Sequence, residues 1–194
     1  MALRIVEGGK GSGKSCLGTA FAYSAYKQGR DIFSNIELKF DFEYIEKESF
    51  FDESKRRKLK DCFILVDEAH NYFPAYRCMS DDAIKMSYFT KQIRKRKVDV
   101  CMTTQQVTAV YIDLRRNLDV LDECTAMKVV NADGASKMRP ASLWEIENQH
   151  VDMIMIKETL LWTETSNKPP VIKWRLLNPK PIFKLYDSEE YVEF

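Results

Sequence analysis

The predicted class is α/β: a mostly parallel sheet flanked by helices, with antiparallel strands added at the C-terminal end. Three observations predict it. The chain opens with an apolar strand, Ala2 to Val6, that runs through Gly8-Gly9-Lys10-Gly11-Ser12-Gly13-Lys14-Ser15 into a helix-favouring stretch from Cys16 to Tyr26. A short strand, Asp31 to Ser34, follows, and strand–helix–strand order implies a parallel pair. A continuous apolar run, Cys62 to Val66, and a second strand, Val98 to Thr104, flank a segment of helical periodicity and read as strands of the same sheet. In the last third, Val171-Ile172-Lys173-Trp174-Arg175-Leu176 alternates at period two, the pattern of an antiparallel edge.

The 194 residues are read as one domain, with a core of residues 1–130 and an extension of residues 131–194. Thirty Lys and Arg stand against 29 Asp and Glu, so no global field draws the chain to nucleic acid or membrane, and any such binding must be local. Five cysteines, Cys16, Cys62, Cys78, Cys101 and Cys124, form no C-x-x-C pair, which suits buried thiols in a reducing compartment. With His70 and His150 the only histidines, a zinc site is not expected. The N-terminus lacks the layout of a signal peptide, and no apolar run is long enough to span a bilayer. The expected location is the cytoplasm, that of the host if the protein is viral.

The first glycine-rich segment has the spacing G-x-x-x-x-G-K-S. Glycines there let backbone N–H groups turn inward around a polyphosphate, and the following helix N-terminus adds its dipole. Gly8, Gly9, Lys10, Gly11, Ser12, Gly13, Lys14, Ser15 and Cys16 are therefore the predicted ATP-binding residues. Lys14 is expected on the β- and γ-phosphates, and Ser15 on Mg²⁺.

Farther along, Gly29 reads as a helix C-cap. Residues 37–61 lack clean periodicity and read as loops with a short helix, in which the basic run Lys55 to Lys60 is a solvated face. The strand Cys62 to Val66 ends in Asp67-Glu68, at the carboxyl edge of a parallel sheet where α/β proteins bind ligands. Asp67 is predicted to hold Mg²⁺, and Glu68 to polarise the attacking water. The letters Asp67-Glu68-Ala69-His70 match a helicase signature, but such enzymes need two motor domains, so they mark only a Walker B element.

Ser80 is predicted to cap the next helix. Asp81 and Asp82 favour its positive end, Lys91 to Lys97 its negative end, and Met86, Phe89 and Ile93 face inward. The strand ending at Thr104 places Gln105 to sense the γ-phosphate or hold the water, provided that it lies between the phosphate loop and Asp67-Glu68. A short helix near Asp113 carries Arg115 and Arg116. Strands are then expected at Thr125 to Val130, within Val151 to Thr165, at Val171 to Leu176 and at Ile182 to Leu185, with Trp162 and Trp174 as cross-strand core partners.

These elements, taken in order, resemble the zonula occludens toxin and filamentous-phage assembly protein I family, within the FtsK/HerA division of motor ATPases. The resemblance rests on the phosphate loop, Val66-Asp67-Glu68-Ala69, Ile93-Arg94-Lys95-Arg96-Lys97 and Thr104-Gln105. It extends to Phe33-Ser34-Asn35-Ile36 and to Leu185-Tyr186-Asp187-Ser188. It implies a RecA-like P-loop NTPase in which the Thr-Gln strand lies beside the phosphate-loop strand. It also implies a homo-oligomeric ring, expected as a hexamer, that hydrolyses Mg·ATP to extrude or package phage DNA. Arg94 is then the candidate finger for a neighbour's ATP, with Arg96, Arg115 and Arg116 as other candidates. A finger in trans contributes about 10³ to 10⁵ in rate.

The chain departs from the family where Lys10 replaces a common Pro and Lys97 a common Gly. Filamentous-phage members also carry a membrane span after this domain. The chain is accordingly expected to be either the cytoplasmic part of a membrane-anchored protein, with membrane or other viral assembly proteins as partners, or a soluble packaging motor. Two alternatives stay open. One is a small-molecule kinase using Asn35 to Asp61 as acceptor site and lid, and the other is an ATP-gated assembly scaffold with negligible turnover.

Overall fold

The computed structural model describes residues 2–77, 80–132, 135–148, 150–161 and 169–187. Nine strands among them form one mixed sheet. Strand β1 (Leu3–Glu7) leads through the glycine loop into helix α1 (Lys14–Lys27). Gly29, at φ +77°, ends that helix with its N–H on the Tyr26 carbonyl at 2.9 Å, a left-handed C-cap that glycine adopts without strain. Next come β2 (Asp31–Ser34), the two-residue β3 (Glu43–Tyr44), helix α2 (Glu53–Arg56) and β4 (Cys62–Val66). The one-turn helix α3 (Ala69–Tyr72), the long helix α4 (Asp81–Arg96), β5 (Asp99–Thr104) and α5 (Ile112–Arg116) complete the core. Strands β6 (Val120–Ala132) and β7 (Ala135–Pro140), helix α6 (Leu143–Glu147), β8 (Met153–Leu160) and β9 (Val171–Leu177) form the C-terminal part.

The strand order is β3-β2-β4-β5-β1-β6-β8-β9, with β7 hydrogen-bonded to β6. All neighbours from β3 to β6 run parallel, and β6 to β9 are antiparallel. The sheet is thus a RecA-like P-loop arrangement with antiparallel strands added at one side. Strand β5 lies between β4 and β1, as Gln105 required.

Apolar side chains are buried on both sheet faces. On one, Met86, Phe89 and Ile93 of α4 join Ile64 and Val100, and Phe50 from the irregular 37–61 segment meets Phe73 and Phe89 edge-on. On the other, Cys16, Leu17, Ala22 and Ala25 of α1 join Val6, Leu65 and Cys101. Four cysteines, Cys16, Cys62, Cys101 and Cys124, are buried free thiols, and burial pushes those of Cys16, Cys62 and Cys124 up to about 12. Cys78 lies outside the described residues.

Charges tie the extension to the core. Arg4 on β1 pairs with Asp122 on β6 and, at 3.2 Å, with Glu158 on β8, which Arg175 of β9 meets at 2.8 Å. The Arg4 guanidinium stands 4.4 Å from the Phe21 ring centre. Asp122 and Glu158 are buried, so each arginine compensates a charge that would be costly alone.

Three expectations need correction. The strand expected at Ile182 to Leu185 is a 3₁₀ turn over Ile182–Lys184, because Pro179 accepts the N–H groups of Ile182 and Phe183; Leu185 and Tyr186 keep only single contacts to residues 38 and 39. The strand expected at Thr125 to Val130 extends back to Val120, since Asp122 and Glu123 carry charges that ion pairs accommodate inside a strand. Trp174 is not a core residue: it is 61 % exposed on the last strand of the sheet, opposite Lys157. Trp162 and Ser188 lie outside the described residues. Among the described residues, no helix is long and apolar enough to cross a membrane.

Candidate nucleotide site

The site forms where β1, β4 and β5 end side by side. Gly13, in the left-handed region at φ +98°, immediately precedes helix α1, and no side chain caps the helix. Its first N–H groups therefore lack helical partners and remain available to an anion. Gly11, at φ +71°, turns the loop. A Cβ there would come within 2.0 Å of Ile146 Cγ2, and one on Gly13 within 2.3 Å of Ile154 Cδ1. Side chains from α6 and β8 therefore occupy the space beside both glycines, and a larger residue would displace the loop. Lys14 is buried and donates to the Gly9 carbonyl at 3.1 Å, so its ammonium group bridges the loop from within. Lys10 is exposed.

Ser15, at the start of α1, donates from Oγ to both carboxylate oxygens of Asp67, at 2.9 and 3.0 Å. Asp67 is buried at the end of β4. Burial drives its carboxyl above the usual carboxylate range, opposed by hydrogen bonds from Thr103 and Ser15 and by the charge of Lys14. Its backbone is held equally firmly: Asn35, at the end of β2, accepts the Asp67 N–H at 2.7 Å and donates to the Asp67 carbonyl at 2.9 Å.

Glu68 adopts φ 49°, ψ 49°, a left-handed conformation that costs a non-glycine residue about 1–3 kcal/mol unless its surroundings enforce it. The Glu68 N–H donates to Thr103 Oγ1 at 3.1 Å, while the same hydroxyl donates to Asp67 Oδ1. One buried threonine thus serves both acidic residues. The Glu68 side chain is 29 % exposed and approaches His70.

The structure brings Lys14, Ser15, Asp67 and Glu68 together, with Cys16 buried behind the loop. Gln105 is exposed just past the tip of β5. The segment beyond it is fixed at Val107, whose N–H donates to Glu7 Oε2 at 2.8 Å. Arg94 is not at this site. It lies near the C-terminal end of α4 and pairs with Asp119 at 2.6 Å, beside the start of β1, where the Leu3 N–H donates to the same carboxylate. That edge is roughly 15 Å from the loop, the length of a five-residue strand. Arg116 faces Asp113 at 3.9 Å, on α5.

Three parts of the site are not anticipated from the sequence: Asn35 as the hydrogen-bond partner of the Asp67 backbone, Thr103, and the Ile146–Ile154 wall. Asn35 and Thr103 had a signal, since both close strands whose carboxyl ends meet at one edge. Ile146 had none, because nothing local tells that α6 folds back over Gly11.

With this geometry in view, the family model described as zonular occludens toxin (Zot) matches residues 2–191. No curated protein matches the chain by sequence. Among solved structures, the N-terminal domain of zonular occludens toxin from Neisseria meningitidis is similar at TM-score 0.61 and 18 % identity, covering 95 % of this chain and 97 % of that one. The genome packaging NTPase B204 of Sulfolobus turreted icosahedral virus 2, in complex with ATP-γS, is similar at TM-score 0.53 and 12 % identity, covering 89 % and 96 %. B204 from Sulfolobus turreted icosahedral virus, described as a DNA-packaging ATPase, is similar at TM-score 0.52 and 14 % identity, covering 89 % and 96 %. At these identities the structural likeness speaks for the fold.

Proposed function

We propose that this chain, which belongs to the zonular occludens toxin family, is an ATPase motor that couples Mg·ATP hydrolysis to movement of viral or phage DNA as a homo-oligomeric ring. The observation that carries the nucleotide reading is the Ser15–Asp67 contact. It joins the first residue after the invariant lysine position of the motif to the acid that ends β4, in the arrangement a phosphate-bound magnesium ion needs. The fit is chemical as well as spatial: a buried carboxylate met by hydroxyls and by Lys14 offers hard oxygen donors beside a cation. Ser15 and Asp67 would hold Mg²⁺, which when bound neutralises charge on the β- and γ-phosphates. Lys14 neutralises the same phosphates, the free N–H groups of α1 cradle them, and Glu68 orients the attacking water. Gln105 senses the γ-phosphate from the tip of β5.

Arg94 faces away from its own chain's site, so it reaches a nucleotide only when a second copy presents that edge, and its ion pair with Asp119 must then open. DNA as cargo is supported by what is said of the packaging proteins with this fold, and a six-membered ring by the family resemblance. A small-molecule kinase is disfavoured by the adjacent Asp67-Glu68 pair, which suits water better than a bound hydroxyl.

Glu68→Gln tests the reading: it should bind Mg·ATP like the wild type and release no phosphate, and full turnover in that variant would refute the mechanism. Specific activity should also climb steeply with protein concentration and respond to DNA. A DNA-independent rate would remove the translocation part and leave the ATPase standing.

A further inference from the structure

One imidazole joins the turn after β4 to the tip of β5. His70, in α3, places Nδ1 3.3 Å from Glu68 Oε2 and 3.4 Å from Thr104 Oγ1. The single hydroxyl proton of Thr104 points to the Gln106 carbonyl at 3.1 Å. Toward the ring, therefore, Thr104 offers a lone pair, and the Glu68 carboxylate likewise only accepts. With the Thr104 hydroxyl donating to Gln106, both atoms that face the ring nitrogen act as acceptors, and the Nδ1–H tautomer is the one that matches them. Glu68 Oε2 is shut off from solvent and no aligned hydrogen bond reaches it among the described residues; the His70 nitrogen 3.3 Å away is within ion-pair range. With the Glu68 backbone fixed by Thr103, the carboxylate is the part of the residue left to be placed.

We propose that His70 is a positioning residue: its Nδ1–H sets the Glu68 carboxylate against the tip of β5 and so couples that carboxylate to the Thr104–Gln106 segment that carries Gln105. The inference rests on the ATPase reading for its kinetic consequence alone; the tautomer does not depend on it.

The test has two arms. With only two histidines in the chain, ¹⁵N imidazole spectra of the whole protein at about pH 8, with His150→Asn as the assignment control, report the His70 tautomer directly. The Nδ1–H form is expected, and the Nε2–H form would overturn the proposal whether or not the protein hydrolyses ATP. In the kinetic arm, His70→Asn places an amide nitrogen where Nδ1 stood, whereas His70→Gln places it where Nε2 stood. The Asn variant should keep most of kcat. The Gln and Leu variants should lose about tenfold to a hundredfold in kcat, the range for a misplaced catalytic group, with KM for ATP unchanged. Equal kcat in the Asn and Gln variants would overturn the proposal. A wild type with no turnover at all would instead count against the ATPase reading, leaving the spectra to decide the role of His70.

Discussion

Thr103→Val should damage both fold and site, because one hydroxyl supports both acids. Thr103 is fully buried, donates to Asp67 Oδ1 and accepts the Glu68 N–H at 3.1 Å. Valine keeps the shape and removes both bonds. A hydrogen bond to a charged group is worth about 1.5–3 kcal/mol, and an orphaned buried N–H costs about 1–3 kcal/mol. Ser15 still serves Asp67, so the lower halves apply and the sum is about 3 kcal/mol. For a domain of this size each kcal/mol moves Tm by about 2–4 °C, which gives a loss of about 6–12 °C in a thermal melt without nucleotide. Turnover should fall as well, since the left-handed Glu68 loses the acceptor that holds it. Thr103→Ser keeps the hydroxyl and loses one methyl group, about 1 kcal/mol, so it should stay near wild type in turnover. Equal melting temperatures for the Val and Ser variants would show that the shared hydroxyl does not hold the two acids.

Two further changes test other parts of the structure. Lys97 caps α4 at φ 57°, with the Val98 N–H on the Ile93 carbonyl at 2.9 Å, a left-handed cap where glycine is the unstrained choice. Lys97→Gly should therefore raise stability by about 1 kcal/mol and Tm by about 2–4 °C, readable by calorimetry. Asp67→Asn should abolish Mg-dependent binding yet stabilise the nucleotide-free protein at neutral pH. The sign follows from the raised carboxyl of Asp67: the folded state holds that proton more tightly than the unfolded chain, so stability is lost as pH rises from the unfolded value of about 3.9. Urea titrations should show the variant ahead at pH 7 and the difference closing by about pH 4.

The parts of the fold that were legible in the sequence are those with local causes. The loop glycines, the continuous apolar run of β4, and the Ser80 cap, whose Oγ accepts the Ala83 N–H at 3.2 Å, each announce themselves within a few residues. The illegible parts depend on long-range partners. Arg4 sits in a strand that reads as apolar, and only Asp122 and Glu158, more than a hundred residues away, make that position tolerable. Asp122 and Glu123 hid the first third of β6 for the same reason, since two acids in a row read as loop until their ion pairs with Arg4 and Lys157 are in place. Trp174 failed in the other direction. Period-two alternation identifies a strand with two different faces, but not which face another element covers, and β9 is the last strand of the sheet. At the site, Asp67 and Glu68 could be read from their place after an apolar run, whereas the choice of Thr103 over Thr104 as their shared support needed the register of β4 against β5.

The extension is part of the nucleotide site rather than an addition beside it. Strand β6 pairs with β1 along one side and with β8 along the other, so the strand that delivers the phosphate loop is one neighbour away from the antiparallel region. Ile154 of β8 then fills the space beside Gly13, and Ile146 of α6 the space beside Gly11. A close-packed contact of this kind transmits displacement, because interiors have little room to absorb it. Movement of α6 or β8 must therefore shift the loop, and reshaping of the loop around a polyphosphate must press back on them. Arg94, by contrast, is tied to Asp119 at the edge where β1 and β6 begin. The β1–β6 pair consequently connects the loop at one end to Arg94 at the other, a rigid path by which, in the proposed ring, nucleotide at the loop and the Arg94 edge would influence each other.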